Sequence, residues 1–305
     1  GLYQVGSFPS WNRWAEWNGK YRDDIRSFLK GDDGYAAAAA QRIMGSPDLY
    51  PPDKRGYNAS VNFLTCHDGF TLYDLYSYST KHNEANGWNN TDGADDNRSW
   101  NCGYEGPTNN EEIMDLRFRM IKNACAVLMC SRGTPMFLAG DEFGNTQFGN
   151  NNSYCQDNEI SWLDWSLLEK NKEIFEFFRY MIAFRQQHSV IRGNTAPCSC
   201  GFPPMSLHCI KAWDSSYVWD TRFLGVMFSG IDSTGRDDIV YLGINTFWKP
   251  LQIELPALPS SKYWIPAVDT GRGDMSVITE EEILDKSVYV MNPRSVLVCV
   301  VRDRN

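Results

Sequence analysis

The sequence lacks an excess of positive charge: 29 Lys and Arg stand against 38 Asp and Glu in 305 residues, a formal net charge of −9. A chain of that sign repels a phosphate backbone unless its basic residues gather on one face, so no nucleic-acid partner is expected. Long apolar runs are also missing. The longest, Ala124 to Cys130, falls far short of the roughly 20 residues that cross a bilayer, and no basic segment leads into an apolar stretch at the N-terminus. Neither a membrane partner nor a secretory address is expected. Histidine is scarce, at four residues, and none of the nine cysteines stands at C-x-x-C spacing. Cys198, Cys200 and Cys209 fit no usual zinc pattern, so no metal and no other cofactor is expected. An odd number of cysteines in a chain too large to need staples reads as free thiols in a reducing compartment. Without a secretory signal, the sequons opened by Asn58, Asn89, Asn97 and Asn151 read as ordinary loop asparagines.

Aromatic residues are plentiful: 11 Trp, 15 Tyr and 16 Phe. Aromatic faces flanked by Asn, Asp and Glu suit neutral, hydroxyl-rich ligands such as sugars. The length suggests two domains, or one large barrel with an appendage. The run SVNFLTC (60–66) reads as a short buried strand that stops at the polar cluster His67-Asp68-Gly69. A polar stretch from about Ser79 to Gly106, carrying Trp88, Trp100 and Tyr104, is too long for a plain connection and reads as a lid or binding loop. Thr108 and Glu111 form a capping-box pattern. A helix with Ile113, Leu116, Met120, Ile121, Ala124, Val127 and Leu128 on its buried face is expected to follow, ending by Gly133. Thr134–Ala139 reads as another short strand ending in Gly140-Asp141-Glu142. A second Asn-rich loop and a helix with Ile174, Phe177, Phe178, Met181 and Ile182 on one face come next.

Two strands that each end in an acidic cluster and lead through a loop into a helix describe a parallel α/β unit whose active face lies at the strand C-termini. After about Gly193 the pattern changes to short alternating segments: SLHCIKAW, FLGVMFSG, DIVYLGINTF, LQIELPAL, SVYVM and SVLVCVV. These predict a separate antiparallel β domain, a sandwich, over residues 193–305, with residues 1–192 forming the α/β part.

The chemistry centres on His67-Asp68. A His and a carboxylate presented together at a strand end can bond adjacent hydroxyls of a polyol, while the negative charge favours a developing oxocarbenium-like cation. The plain alternative is a His satisfied by its loop and an Asp capping the next helix. The stretch NFLTCHDGFTLYDL closely resembles the seventh-strand motif of the α-amylase superfamily of glycoside hydrolases, in the isoamylase and glycogen-debranching branch. GLYQVGSFPSWNRWAEWNGKYRDDIRSFLKG, NRSWNCGYEGPT and GTPMFLAGDEFGNTQFGNNNSYCQDNEISWLDW agree in order, so the resemblance is dense from Gly1 to about Trp165 and looser beyond.

The resemblance implies the C-terminal part of a (β/α)8 barrel followed by a β-sandwich, and a retaining mechanism. In that mechanism an Asp nucleophile follows strand four, a Glu acid/base follows strand five, and a third Asp after strand seven grips the ring hydroxyls. Asp68 matches the third carboxylate, the transition-state stabiliser, and His67 its partner at the same sugar. The segment GLYQVGSFP looks like the one shortly after the acid/base Glu, so both residues that make and break bonds are expected outside this chain, in the N-terminal half of the barrel. The resemblance also places Tyr3, Asn152 and Asp157 among the substrate-binding residues, and cytoplasm or plastid stroma as the location.

Other features have plainer readings. Asp141-Glu142 is expected to hold the eighth-strand loop. Trp11, Trp14 and Trp17 are expected to be wedged between barrel and helices rather than to stack on sugar. The acidic run Asn90 to Asn97 lacks the spacing of a calcium loop and reads as solvated. The implied activity of the complete protein is cleavage of α-1,6 branch linkages in glycogen or a related α-glucan, with this chain inactive alone. A non-catalytic glucan-binding or assembly module and an amylase-type α-1,4 hydrolase are the alternatives.

Overall fold

The computed structural model describes residues 4–9, 13–280, 282–284 and 287–304. The first part of the chain runs β1 (Glu16–Trp17), α1 (Gly19–Lys30), α2 (Ala36–Ile43), β2 (Ser60–Phe63), α3 (Leu72–Leu75), α4 (Glu111–Met129), β3 (Thr134–Met136), α5 (Leu167–Lys170), α6 (Lys172–Gln187) and α7 (Ser189–Arg192). The three strands form a parallel sheet in the order β1-β2-β3, with Glu16 opposite Ser60 and Val61 opposite Thr134. Parallel strands need crossovers, and the helices supply them. Helix α1 starts where Asn18 Oδ1 accepts the Tyr21 N–H at 3.0 Å and buries Tyr21, Ile25, Phe28 and Leu29 along one stripe. It ends at Gly31, whose φ of 91° is the left-handed C-cap that glycine adopts without steric cost.

Helix α4 departs from the capping-box expectation. Asn110, not Thr108, is the N-cap: its Oδ1 accepts the Ile113 N–H at 3.2 Å, while Thr108 Oγ1 accepts the Asn110 N–H one turn earlier. The N-terminal half of α4 is amphipathic, but Met120 to Met129 are buried all round. A second layer therefore covers the helix on the side away from the sheet. Helix α6 buries Ile174, Phe177, Phe178 and Met181 as expected, whereas Ile182 is 36% exposed, one position off the stripe.

The covering layer is the second part of the chain, with β4 (Met205–His208), β5 (Phe223–Ile231), β6 (Asp237–Asn245), β7 (Leu251–Glu254), β8 (Lys262–Asp269), β9 (Val288–Met291) and β10 (Ser295–Asp303). Five strands pair antiparallel in the order β4-β5-β6-β10-β8, and β7 pairs with β9. Side chains alternate between the two faces along β5, β6 and β10. Leu224, Val226, Phe228, Val240, Leu242, Ile244, Val296, Val298 and Val300 join the core of the helical part, and Phe223, Met227, Ile239, Tyr241, Leu297, Cys299 and Val301 pack with Ile253 of β7 and Met291 of β9. Both faces are covered, so β5, β6 and β10 are buried along most of their length rather than on one face only, as an alternating pattern would have it.

Strand β8 has no counterpart among the segments expected from the sequence. Pro266 interrupts it, and a proline counts against a strand because it donates nothing to the ladder. Here it is tolerated because β8 is an edge strand and Pro266 pairs with Cys299 beside a register shift at Val298/Cys299.

The two parts are bolted together by arginine and asparagine side chains. Arg222 bonds Asp33 at 2.6 Å and the Gly31 carbonyl, Arg294 donates to the Lys30 carbonyl at 3.0 Å, and Asn123 donates to the Arg294 carbonyl at 2.9 Å. No described helix is long and apolar enough to cross a membrane. The nine cysteines are free thiols, eight of them wholly or partly buried and Cys155 exposed.

Candidate functional site

The C-terminal end of β2 is braced by buried carboxylates from neighbouring segments. Asp141, fully buried at the end of β3, accepts from Thr65 Oγ1, from the Leu72 N–H at 2.8 Å and from the Leu138 N–H at 3.1 Å. Its bond to Leu138 lies in the loop it is expected to hold, and its bonds to Thr65 and Leu72 tie the residues on either side of His67-Asp68 to that loop as well. Glu142 closes its own turn by accepting the Gly140 N–H at 2.8 Å. Asp74, also buried, accepts from Thr146 Oγ1 at 2.5 Å and from the Gln147 N–H at 2.8 Å. Burial pushes Asp141 up to about 7 and Asp74 up to about 6, against the bonds that favour their charged forms.

Between these anchors, residues 67–69 turn outward. His67 Nε2 lies 3.5 Å from Asp68 Oδ2, with the side chains 69% and 78% exposed. The Trp17 ring, at the end of the adjacent strand β1, meets His67 edge-on at 5.8 Å. The capping role that a structural Asp68 would have is not realised. Thr71, not Asp68, caps α3, accepting the Asp74 N–H at 3.1 Å. The turn is held at its backbone: Cys66 Sγ donates to the Asp68 carbonyl at 3.3 Å, and the N–H of Gly69, at a φ of 96°, donates to the Asn151 carbonyl at 3.0 Å. An imidazole and a carboxylate on a braced turn at the C-terminal end of a parallel strand can bond vicinal hydroxyls and face a developing cation.

The two Asn-rich loops are interlocked. Asn83 Nδ2 donates to Asn151 Oδ1 at 2.8 Å while Asn151 N donates to Asn83 Oδ1 at 2.9 Å, and Asn151 Nδ2 reaches Asn97 Oδ1 at 2.9 Å and the Ala94 carbonyl at 2.7 Å. Asn83, Asn97 and Asn151 are buried, as is Arg26, which joins α1 to the Leu64 carbonyl at 2.8 Å and to the Asn97 carbonyl at 3.0 Å. The reading of Asn97 and Asn151 as ordinary loop asparagines is therefore corrected, whereas residues 90–96 of the acidic run are exposed or half-buried. A lone amide count signals polarity; only the three-dimensional pairing shows that these amides satisfy one another. Further out, Glu105 is buried enough to raise its carboxyl, yet bonds from Ser79 N–H, Asn101 Nδ2, Thr80 N–H and His82 hold it down at about 2.

Of the remaining expected contacts, Tyr3 and Trp11 lie outside the described residues. Asn152 follows the residue that braces Gly69 and gives its amide N–H to Asp92 at 2.8 Å; exposed Asp157 accepts from Trp162 Nε1 at 3.0 Å. Trp14 and Trp17 are 53% and 45% exposed rather than wedged in a core. Trp100 turns away from the site, its ring under the Arg294 guanidinium at 4.4 Å, while Trp88 and Tyr104 are exposed. A cavity of about 420 Å³, lined by Tyr73, Tyr78, Phe148 and Trp162 among others, opens beside residues 144–148 and includes neither His67 nor Asp68.

No protein-family model matches the sequence. Among curated proteins, the chain is 55% identical over 192 residues to a glycogen operon protein GlgX homolog of Mycobacterium bovis, an alignment covering 63% of this chain and 26% of that protein. It is 43% identical over 284 residues to isoamylase 3, chloroplastic, of Oryza sativa subsp. japonica, covering 93% of this chain and 35% of that one. The chain thus spans between a quarter and about a third of the length of the relatives it matches. Among solved structures, a pullulanase from Anoxybacillus sp. LM18-11 complexed with maltotetraose superposes with a TM-score of 0.63 at 19% identity, over 94% of this chain and 35% of that one. That likeness shares the fold: the C-terminal part of a barrel followed by a β domain. The chain is thus similar to isoamylases over most of its length and to GlgX homologues over 192 residues, and it corresponds to the C-terminal part of these relatives.

Proposed function

We propose that this chain is part of a retaining glycoside hydrolase that cleaves α-1,6 branch linkages in glycogen or a related α-glucan. Residues 1–192 form the C-terminal half of the catalytic barrel and residues 193–305 the β-sandwich domain. The nucleophilic Asp and the acid/base Glu lie outside the chain, on the N-terminal half of the barrel. Asp68 acts as the transition-state stabiliser. Its charge faces the ring carbon that becomes cationic, while His67 holds a neighbouring hydroxyl of the same sugar. Tyr3, Asn152 and Asp157 are the further sugar contacts, and the location is the cytoplasm, or the plastid stroma in a plant.

The observation that carries this reading is the braced and exposed His67-Asp68 pair at the end of β2, with Trp17 beside it. Support comes from relatives named for isoamylase and from a fold neighbour complexed with maltotetraose. Reducing-end release by the complete protein tests it. Branched glycogen or amylopectin is expected to be cut much faster than linear maltooligosaccharides, and preferential attack on linear chains would replace debranching with an amylase-type activity.

A further inference from the structure

The bond from the Gly69 N–H to the Asn151 carbonyl is the link between the His67-Asp68 turn and the interlocked loops. Asn151 is itself fixed at every polar atom: its N–H and Oδ1 engage Asn83, its Nδ2 engages Ala94 and Asn97, and its carbonyl takes Gly69. Asn83 is held in turn, its backbone N–H donating to Asn90 Oδ1 at 2.8 Å and its Nδ2 also reaching the Asp92 carbonyl at 2.9 Å. Such a pair is stiff. Both amides are buried, every bond is within normal length, and losing one partner strands a buried donor and acceptor on the other.

We propose that the reciprocal Asn83–Asn151 pair positions Asp68. It sets where the Asn151 carbonyl stands, hence where Gly69 and the carboxylate before it stand. Asn83 and Asn151 are positioning residues, not catalytic ones. This rests on the reading of Asp68 given above and adds the means by which the 79–106 loop communicates with it. Removing the Asn83 amide frees the Asn151 N–H, lets the 149–152 turn relax and moves the Asp68 carboxylate away from the position where charge develops. A displacement near 1 Å of a charge-stabilising group is worth roughly 10²-fold in rate.

The test uses the complete protein with a branched α-glucan. Asn83→Ala is expected to lower kcat by roughly 10²-fold with KM changed little. Asn245→Ala serves as the control, because Asn245 is an equally buried amide in β6 whose bonds to Lys249, Asn292 and Phe247 lie in the β domain; it is expected to lower thermal stability comparably and leave kcat unchanged. In an Asp68→Asn background Asn83→Ala is expected to cost almost nothing more, because the group it positions has lost its charge. An undiminished kcat in Asn83→Ala, or its full cost reappearing on top of Asp68→Asn, overturns the proposal. If Asn83→Ala does not fold, Asn83→Ser takes its place, and amide exchange in the unsubstituted protein gives a second readout: a protected Gly69 N–H is expected, and exchange as fast as that of an open turn overturns the proposal. A protein that turns over the glucan but ignores Asn83 refutes only this inference, whereas one that turns over no glucan refutes the functional reading beneath it.

Discussion

The β domain and the loops around His67-Asp68 hold their shapes by different means. In the middle of β5, β6 and β10 the apolar side chains enter two layers by turns, and each fully buried Leu, Val or Phe contributes ~1.5–3 kcal/mol through the water it leaves. Around the site the buried groups are amides, carboxylates and an arginine, each contributing little net stability but fixing direction. Apolar contact tolerates small slides, whereas a reciprocal amide pair does not. A site that must aim a carboxylate to within a fraction of an ångström is accordingly framed by the second kind of packing.

Two substitutions of similar size are expected to separate these means most sharply. Asp68→Asn in the complete protein should lower kcat by roughly 10³-fold or more while leaving substrate binding and the unfolding midpoint nearly unchanged, because a charge is lost at an exposed position. An unchanged kcat returns the pair to a structural role. Leu242→Ala, at a fully buried position of β6, should cost ~2–5 kcal/mol of stability and leave kcat intact at temperatures where the protein is folded. If Leu242→Ala altered kcat as strongly as Asp68→Asn, the division between scaffold and site would fail.

The same contrast has a pH signature. For Asp141 the folded value, about 7, lies above the ordinary 3.8, so its stability contribution is full at low pH and is lost as pH rises through that window. Asp74, raised to about 6, acts in the same sense over a narrower range. Glu105, held at about 2 against an ordinary 4.5, works the other way: its contribution is present above 4.5 and lost as pH falls towards 2. The loop region is therefore expected to be most stable a little below pH 4, where the gain from Glu105 is overtaken by the losses at Asp141 and Asp74, and to decline on both sides. Urea midpoints measured from pH 3 to 8 check this, with Asp141→Asn flattening the upper limb and Glu105→Gln the lower. A limb that persists in its own variant removes that carboxyl as the cause.

How much of this was legible beforehand follows the same line. Periodicity marks whatever is held by apolar burial, so α4, α6, β5, β6 and β10 stand out in the sequence, and His67-Asp68 stands out through the motif around it. Strand β8 hid behind Pro266, whose tolerance depends on an edge position that only the sheet order reveals. The bracing of Gly69 by Asn151 was hidden for a deeper reason. Asn83, Asn97 and Asn151 look like solvated loop residues until the pairing of segments nearly 70 residues apart is known.

The smallest expected effect concerns the start of α4, where sequence and structure disagree by two residues. Thr108 and Glu111 carry the capping-box pattern, yet Asn110 Oδ1 takes the Ile113 N–H, and Glu111 and Glu112 follow in the first turn, where carboxylates complement the exposed N–H groups. Asn110→Ala is therefore expected to cost ~1 kcal/mol. Thr108→Ala removes only the acceptor for the Asn110 N–H, in an exposed turn where water replaces it, and is expected to cost less than half as much. Because α4 carries Met120 to Met129 between the parallel sheet and the β domain, the cost of a lost cap should appear in the unfolding of both parts together. Chemical denaturation of the two variants side by side decides the register: a larger loss for Thr108→Ala would move the cap back to the position the capping-box pattern marks.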